Sequence, residues 1–176
     1  MTTATDRQWY ALRVTYNREM KVKQELEARR LKCFLPLTHR IQIRGERRIK
    51  VLVPAIHNLI FLNASREEME DVKNYTSLPI RYIMDRERNV PVVVPEKQMK
   101  DFIAVAGSVD EQVVYLEPDV SSFAKGDRVR VTGGLFEGTE GYFVRVRGDR
   151  RVVVCIPGIA AVATTFIHPS LVEKID

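Results

Sequence analysis

Phe123-Ala-Lys-Gly126-Asp127-Arg128-Val129-Arg130-Val131-Thr132-Gly133-Gly134-Leu135-Phe136-Glu137-Gly138-Thr139-Glu140-Gly141-Tyr142-Phe143-Val144 decides the fold of the C-terminal third of the chain. Val129 and Val131 fall on one side of an extended segment, and Arg128, Arg130 and Thr132 on the other. That period of two marks a half-buried strand. Gly133 and Gly134 suit the positive backbone angles of a tight connection. Gly138 and Gly141 are read as places where a side chain would strike a neighbouring strand. A second alternating strand, Tyr142 to Val146, leaves the turn.

The glycine spacing from Gly133 to Gly138 also matches a phosphate-cradling loop. The required Lys-Ser/Thr is replaced by Thr139-Glu140, and a strand follows where that loop needs a helix N-terminus. Nucleotide binding is therefore set aside. With strand, glycine turn and strand in this order, the segment resembles the KOW motif of transcription elongation factors and some ribosomal proteins.

Outward from this motif, more short strands follow: residues 141–147, 151–156, 160–166 and 171–175. Five strands from 121 to 176 predict a small closed barrel. Residues 109–120 contain Pro118 and no clear period, and are read as a linker. Residues 1–108 mix strands and helices. Trp9 to Tyr16 reads as a strand, and Asn17 as the cap of a helix reaching Leu31 with Lys21/Glu25 and Lys23/Glu27 pairs. Leu37–Ile43 and Ile49–Val53 form a basic hairpin around Arg44-Gly45-Glu46-Arg47. Ile41, Ile43, Ile49, Val51 and Val53 are expected to hold that hairpin down.

Asn58 to Leu62 is a central strand. Ser65-Arg-Glu-Glu68 is a capping box opening a helix with Met69, Val72 and Tyr75 on one side. Residues 81–84 return as a strand. Pro95-Glu96 starts a third helix, with Met99, Phe102, Ile103 and Ala106 at helical spacing and Gly107 as terminator. Helices laid on a mainly antiparallel sheet make residues 1–108 an α/β sandwich, and the whole chain α+β.

Charge is uneven. Residues 1–65 carry 13 Lys+Arg against 5 Asp+Glu, whereas residues 111–176 carry 8 against 9. A concentrated basic face attracts polyanions, nucleic acid above all; a merely solvated helical surface is the alternative. No apolar run reaches the ~20 residues of a membrane helix, and the N-terminus lacks a signal-peptide core. Cytoplasmic location is the expectation. Cys33 and Cys155 read as free buried thiols, and three scattered histidines offer no metal site. No cofactor is expected. Asp127, Glu137, Glu140 and Asp149 surround turns without a paired nucleophile, so enzymatic activity is not expected.

Taken together, Trp9-Tyr10-Ala-Leu, the basic helix, the hairpin, Pro54-Ala-Ile-His-Asn-Leu-Ile-Phe61, the linker and the KOW segment resemble NusG-family transcription elongation factors from residue 8 to 175. Lys32-Cys33-Phe-Leu-Pro36 and the Arg-Gly-Glu-Arg tip are most similar to the specialised UpxY and RfaH types. The resemblance implies an N-terminal NGN-type domain (1–108) that binds the clamp helices of the RNA polymerase largest subunit. Ile56, Leu59 and Phe61 are the implied contacts. His57 and Leu59 depart from the family's proline and frequent tyrosine. As the bland alternative, Leu59 and Phe61 are plain strand core.

Arg18, Lys21, Arg44, Arg47 and Arg48 are the candidates for contact with non-template DNA or nascent RNA. The resemblance makes the KOW domain (121–176) a partner-binding module. The partners that the resemblance implies for it are ribosomal protein S10 or Rho, and the matching corner here is Ile156, Pro157 and Ile159. Pro157 stands where housekeeping members carry phenylalanine, and Ile156 and Ile159 also read as barrel core. In RfaH-type proteins this domain can turn helical, but the Val- and Gly-rich alternation of 127–156 predicts strands.

The implied function is processive antitermination by a monomer, on long capsular-polysaccharide operons in the UpxY type, opposed there by small inhibitory proteins. Two alternatives stay open: a housekeeping pausing or termination factor, and a KOW-type ribosome- or RNA-binding protein.

Overall fold

Residues 6–176 are described by the structure, a computed structural model. They fall into two compact units, residues 6–36 with Ile56–Glu96, and Leu37–Ala55 with Lys97–Asp176.

The first unit is built on a five-stranded antiparallel sheet. Its elements are β1 (Gln8–Val14), α1 (Glu19–Ala28), β2 (Lys32–Phe34), and then β5 (Leu59–Ala64) and α2 (Arg66–Tyr75). Two short strands complete the sheet, β6 (Ile80–Tyr82) and β9 (Val93–Val94), and outside it lies the minimal hairpin of β7 (Met84–Asp85) and β8 (Val90–Pro91). The order is β2-β5-β1-β6, with β9 also on β1. Trp9 to Leu12 are buried consecutively, as are Leu59 to Leu62. Consecutive rather than alternating burial means that both faces of β1 and β5 are covered. Each large apolar side chain buried this way contributes ~1.5–3 kcal/mol.

Helix α1 buries Val22 and Leu26, as its apolar stripe predicts. Its start differs from expectation. Tyr16 and Asn17 both take left-handed angles (φ 62° and 52°), and Arg18 occupies the cap position without a side-chain cap bond. Asparagine tolerates that conformation, so Asn17 bends the chain into the helix instead of capping it. Lys23 and Glu27 pair at 2.8 Å. The capping box of α2 is formed: Ser65 Oγ accepts the Glu68 N–H at 3.1 Å, and the Glu68 carboxylate accepts the Ser65 N–H at 2.9 Å. Met69 and Val72 are buried, but Tyr75 is 79% exposed, at the end of the helix and off the buried side.

The second unit contains the hairpin of β3 (Leu37–Arg44) and β4 (Arg47–Pro54), which among the described residues pair only with each other. The register sets Ile41 opposite Lys50 and Ile43 opposite Arg48, while Val51 faces Arg40 and Ile49 faces Gln42. Directly opposed residues share a face, so the five apolar residues are split between two faces. Ile41 and Ile43 are consequently 65% and 73% exposed and do not hold the hairpin down. Helix α3 (Glu96–Ala106) buries Met99, Phe102, Val105 and Ala106, with Ile103 only half-buried. Its Lys97 Nζ donates to the Gly138 carbonyl at 2.9 Å and its Gln98 Nε2 to the Cys155 carbonyl at 2.8 Å.

The rest of this unit is a six-stranded antiparallel sheet. It comprises β10 (Val114–Leu116), β11 (Asp127–Val131), β12 (Glu140–Val146), β13 (Asp149–Ile156), β14 (Ala160–Ala163) and β15 (Val172–Lys174), ordered β10-β14-β13-β12-β11-β15. The segment 127–156 forms three of these strands and the turns between them, in keeping with its composition. Val114–Leu116 lies inside the stretch read as linker; its Val114 is buried with Phe123, Val153, Cys155, Ala161 and Ala163. Arg151, only 7% exposed, donates to the carbonyls of Gln112 and Thr164 and so fastens the chain ahead of β10 to this sheet.

The turn glycines divide their work differently from the expectation. Gly134 and Gly138 have positive φ (86° and 89°) and open space around them, whereas Gly133 does not. At Gly141 a Cβ would sit inside the Val153 carbonyl and 2.9 Å from Val152 Cγ1.

Candidate nucleic-acid interface

The left-handed bend at Tyr16-Asn17 turns the chain so that Arg18 and Lys21 sit on the open side of α1. The Thr15 N–H donates to the Pro79 carbonyl at 3.0 Å, which brings the end of β1 beside the loop after α2. A cleft of about 250 Å³ results, lined by Arg18, Lys21, Glu25 and Arg29 on one side and Tyr75 and Ser77 on the other. Three cations face one carboxylate there. The Arg18 guanidinium lies 6.0 Å from the Tyr16 ring centre, and Tyr16 is 80% exposed. Positive charge beside exposed aromatic faces is the combination that holds a phosphate backbone and stacks a base.

Residues 44, 47 and 48 form a second basic group. Arg44 stands opposite Arg47 across a turn where Gly45 has φ 62°, and Arg48 follows on β4. All three are exposed. Lys50, behind them, is already paired with Glu111. The structure thus joins Arg18 to Lys21 in one unit, and Arg44, Arg47 and Arg48 in the other.

Among the apolar candidates, Leu59 (3% exposed) and Phe61 (0%) are core residues of β5, with Phe61 registered against Ala11 and Phe34. Ile56 is half-buried, and His57 and Asn58 are exposed. Asn58 takes φ 63°, and its N–H is held at 2.9 Å by the carboxylate of Glu19, which is itself 2% exposed. The Val14 N–H donates to the Asn58 carbonyl at 3.1 Å. Both backbone groups of Asn58 are therefore tied down, fixing the Ile56–Asn58 segment next to the first turn of α1. On the other sheet, Ile156 is buried, Ile159 half-buried and Pro157 exposed in the β13–β14 turn, whose Gly158 N–H donates to the Pro118 carbonyl at 3.0 Å.

Sequence reasoning missed Tyr16, Tyr75, Arg29 and Glu19. A tyrosine at the end of an amphipathic pattern reads as core, and only the bend before Arg18 shows which side faces out. Cys33 is pushed up to about 11, chiefly by burial and secondarily by Glu27, so it stays a thiol at neutral pH. No group of three or more metal-ligating side chains occurs among the described residues. No helix among them is long and apolar enough to cross a membrane.

No curated protein sequence matches the chain. A solved structure of NusG from Thermotoga maritima, described for its domain interaction, matches with a TM-score of 0.50 over 98% of this chain and 99% of that one. Identity is 21%, so the likeness is one of fold. Residues 7–103 match the family described as transcription termination factor NusG. That stretch is more than half of the chain and includes β1, α1, the β3–β4 hairpin and β5, and on it the protein belongs to the NusG family of transcription factors.

Proposed function

We propose that this NusG-family chain is an elongation factor of the specialised UpxY/RfaH type, acting as a processive antiterminator on long operons such as those for capsular polysaccharide. In this reading residues 1–108 bind the clamp helices of the RNA polymerase largest subunit. Ile56 and the adjoining His57-Asn58 backbone make the contact, while the buried Leu59 and Phe61 hold that segment in place. Arg18 and Lys21, with Tyr16 and Tyr75, engage exposed non-template DNA. Arg44, Arg47 and Arg48 add backbone contacts. Residues 121–176 close as a KOW barrel, with Pro157 and Ile159 as a corner for ribosomal protein S10 or Rho.

One observation carries the proposal. Glu19 neighbours Arg18 in sequence and holds Asn58 by a hydrogen bond of 2.9 Å. The apolar segment and the basic cleft are thereby built on the same helical turn, so a factor seated on polymerase would present its arginine to nucleic acid in a set position. Holding the clamp closed needs little energy: ~1.4 kcal/mol shifts a pause equilibrium tenfold.

The test is capture of core RNA polymerase by the full chain, followed by single-round transcription through a pause site. Ile56→Glu, and separately His57→Glu at an exposed position, should reduce capture at least about tenfold. Arg18→Gln with Lys21→Gln should keep polymerase but lose the effect on pausing. Wild-type capture by both segment variants would reject the contact site. Increased termination by the wild-type chain would favour a housekeeping termination factor.

A further inference from the structure

The last third of the chain has no excess of positive charge, yet its arginines are segregated. Strands β12 and β13 run antiparallel with Arg145 directly opposite Arg150. Like charges so placed destabilise a hairpin unless something neutralises them. Between them, Arg147 and Gly148 take left-handed angles (φ 50° and 84°), closing a tight two-residue turn that carries a third exposed arginine.

The carboxylates nearby are engaged elsewhere. Asp149 meets Arg151 at 3.4 Å, and Asp127, opposite Phe143 on β11, meets Lys174 at 3.2 Å. Glu140 is held by Arg130 at 2.8 Å. Arg145, Arg147 and Arg150 have no ion pair among the described residues.

Arg150 is also braced. Its guanidinium carbon lies 5.5 Å from the ring centre of the half-buried Phe143, two residues before Arg145 on the same face of β12. A guanidinium resting on an aromatic ring loses less freedom when it binds, and its N–H edge stays available for a planar, bidentate acceptor. Opposed side chains such as Arg145 and Arg150 are separated by ~5 Å, and Arg147 follows in the turn just past the last strand pair, Val146 with Asp149. The result is a short ladder of positive charges suited to a linear polyanion carrying one charge per monomer.

We propose that the turn end of the β12–β13 hairpin binds the phosphodiester backbone of single-stranded nucleic acid through Arg145, Arg147 and Arg150, with Phe143 positioning Arg150. This surface is separate from the residues assigned to polymerase and nucleic acid above, and its test needs no polymerase.

The test measures fluorescence anisotropy of labelled oligouridylate and oligothymidylate with the full chain across a potassium chloride series. Replacing the three arginines together (Arg145→Gln, Arg147→Gln, Arg150→Gln) should weaken binding at least about tenfold. The slope of log affinity against log salt should fall by about 2, since three single-strand phosphate contacts each account for ~0.7. Arg147→Glu alone, at an exposed turn position, gives the same direction of change if the triple variant folds poorly. Arg145→Lys with Arg150→Lys, which keeps the charge, should leave the slope at its wild-type value. Stronger loss with oligouridylate identifies RNA as the source of the strand, and stronger loss with oligothymidylate identifies DNA. Wild-type affinity and slope in both charge-removing variants would overturn the proposal. So would polyglutamate competing as well as the oligonucleotides, which would point to an acidic protein.

Discussion

The β3–β4 and β12–β13 hairpins both end in arginines and both turn on a glycine with positive φ, Gly45 and Gly148. Their support differs. Strands β3 and β4 form a two-stranded sheet of their own among the described residues, and they leave Ile41, Ile43 and Leu52 exposed. Strands β12 and β13 are flanked by β11 and β14, and β13 is buried without interruption from Arg151 to Ile156. A two-stranded ribbon is marginal by itself, whereas inner strands of a larger sheet share their hydrogen bonds and packing with neighbours. The same arginine-tipped motif is thus a two-stranded arm in one place and part of a larger sheet in the other. Substitutions in the arm should change binding with little effect on stability; those in the inner hairpin, away from its turn, should do the reverse.

The largest effect expected from this contrast is at Gly141. Gly141→Ala puts a methyl group against the Val153 backbone, and overpacking at a site that cannot relax should cost ~3 kcal/mol. Chemical denaturation measures it, and a loss below ~0.5 kcal/mol would mean that β12 yields as freely as the arm.

A smaller effect concerns Tyr115 on β10, next to β14. Burial pushes its phenol up to about 12, against ~10 in an unfolded chain. A raised folded value means that the neutral phenol's contribution is fully present below pH ~10 and is lost as pH rises toward 12. Tyr115→Phe should therefore reduce the fall in melting temperature between pH 9 and 11. An identical fall in both proteins would show that β10 is not held at this edge.

The smallest effect is expected in the arm. Ile41→Ser with Ile43→Ser should alter stability by no more than ~0.5 kcal/mol, because both side chains already face solvent. A loss of 2 kcal/mol or more would erase the distinction between the hairpins.

Local rules made several elements legible in the residues. The capping box at Ser65, the alternation of 127–131 and the glycine-broken return at 141 depend on neighbours within a few positions, and each folded as those neighbours dictate. The candidate site was legible as chemistry but not as arrangement. Arg18, Lys21 and the hairpin arginines could be named from charge alone. Their grouping could not, because it depends on the left-handed pair Tyr16-Asn17 and on a hydrogen bond between residues 39 apart, Glu19 and Asn58.

The linear sequence by itself determined the class of the longer strands and helices, the basic balance of the first third and the family pattern. All three follow from residue type and short-range spacing. Tertiary structure alone decided that Ile41 and Ile43 face outward, that Tyr75 joins a basic cleft, and that Arg145 stands against Arg150. Each of these rests on strand register or on contacts distant in sequence, and a one-residue shift of register would turn every side chain to the opposite face.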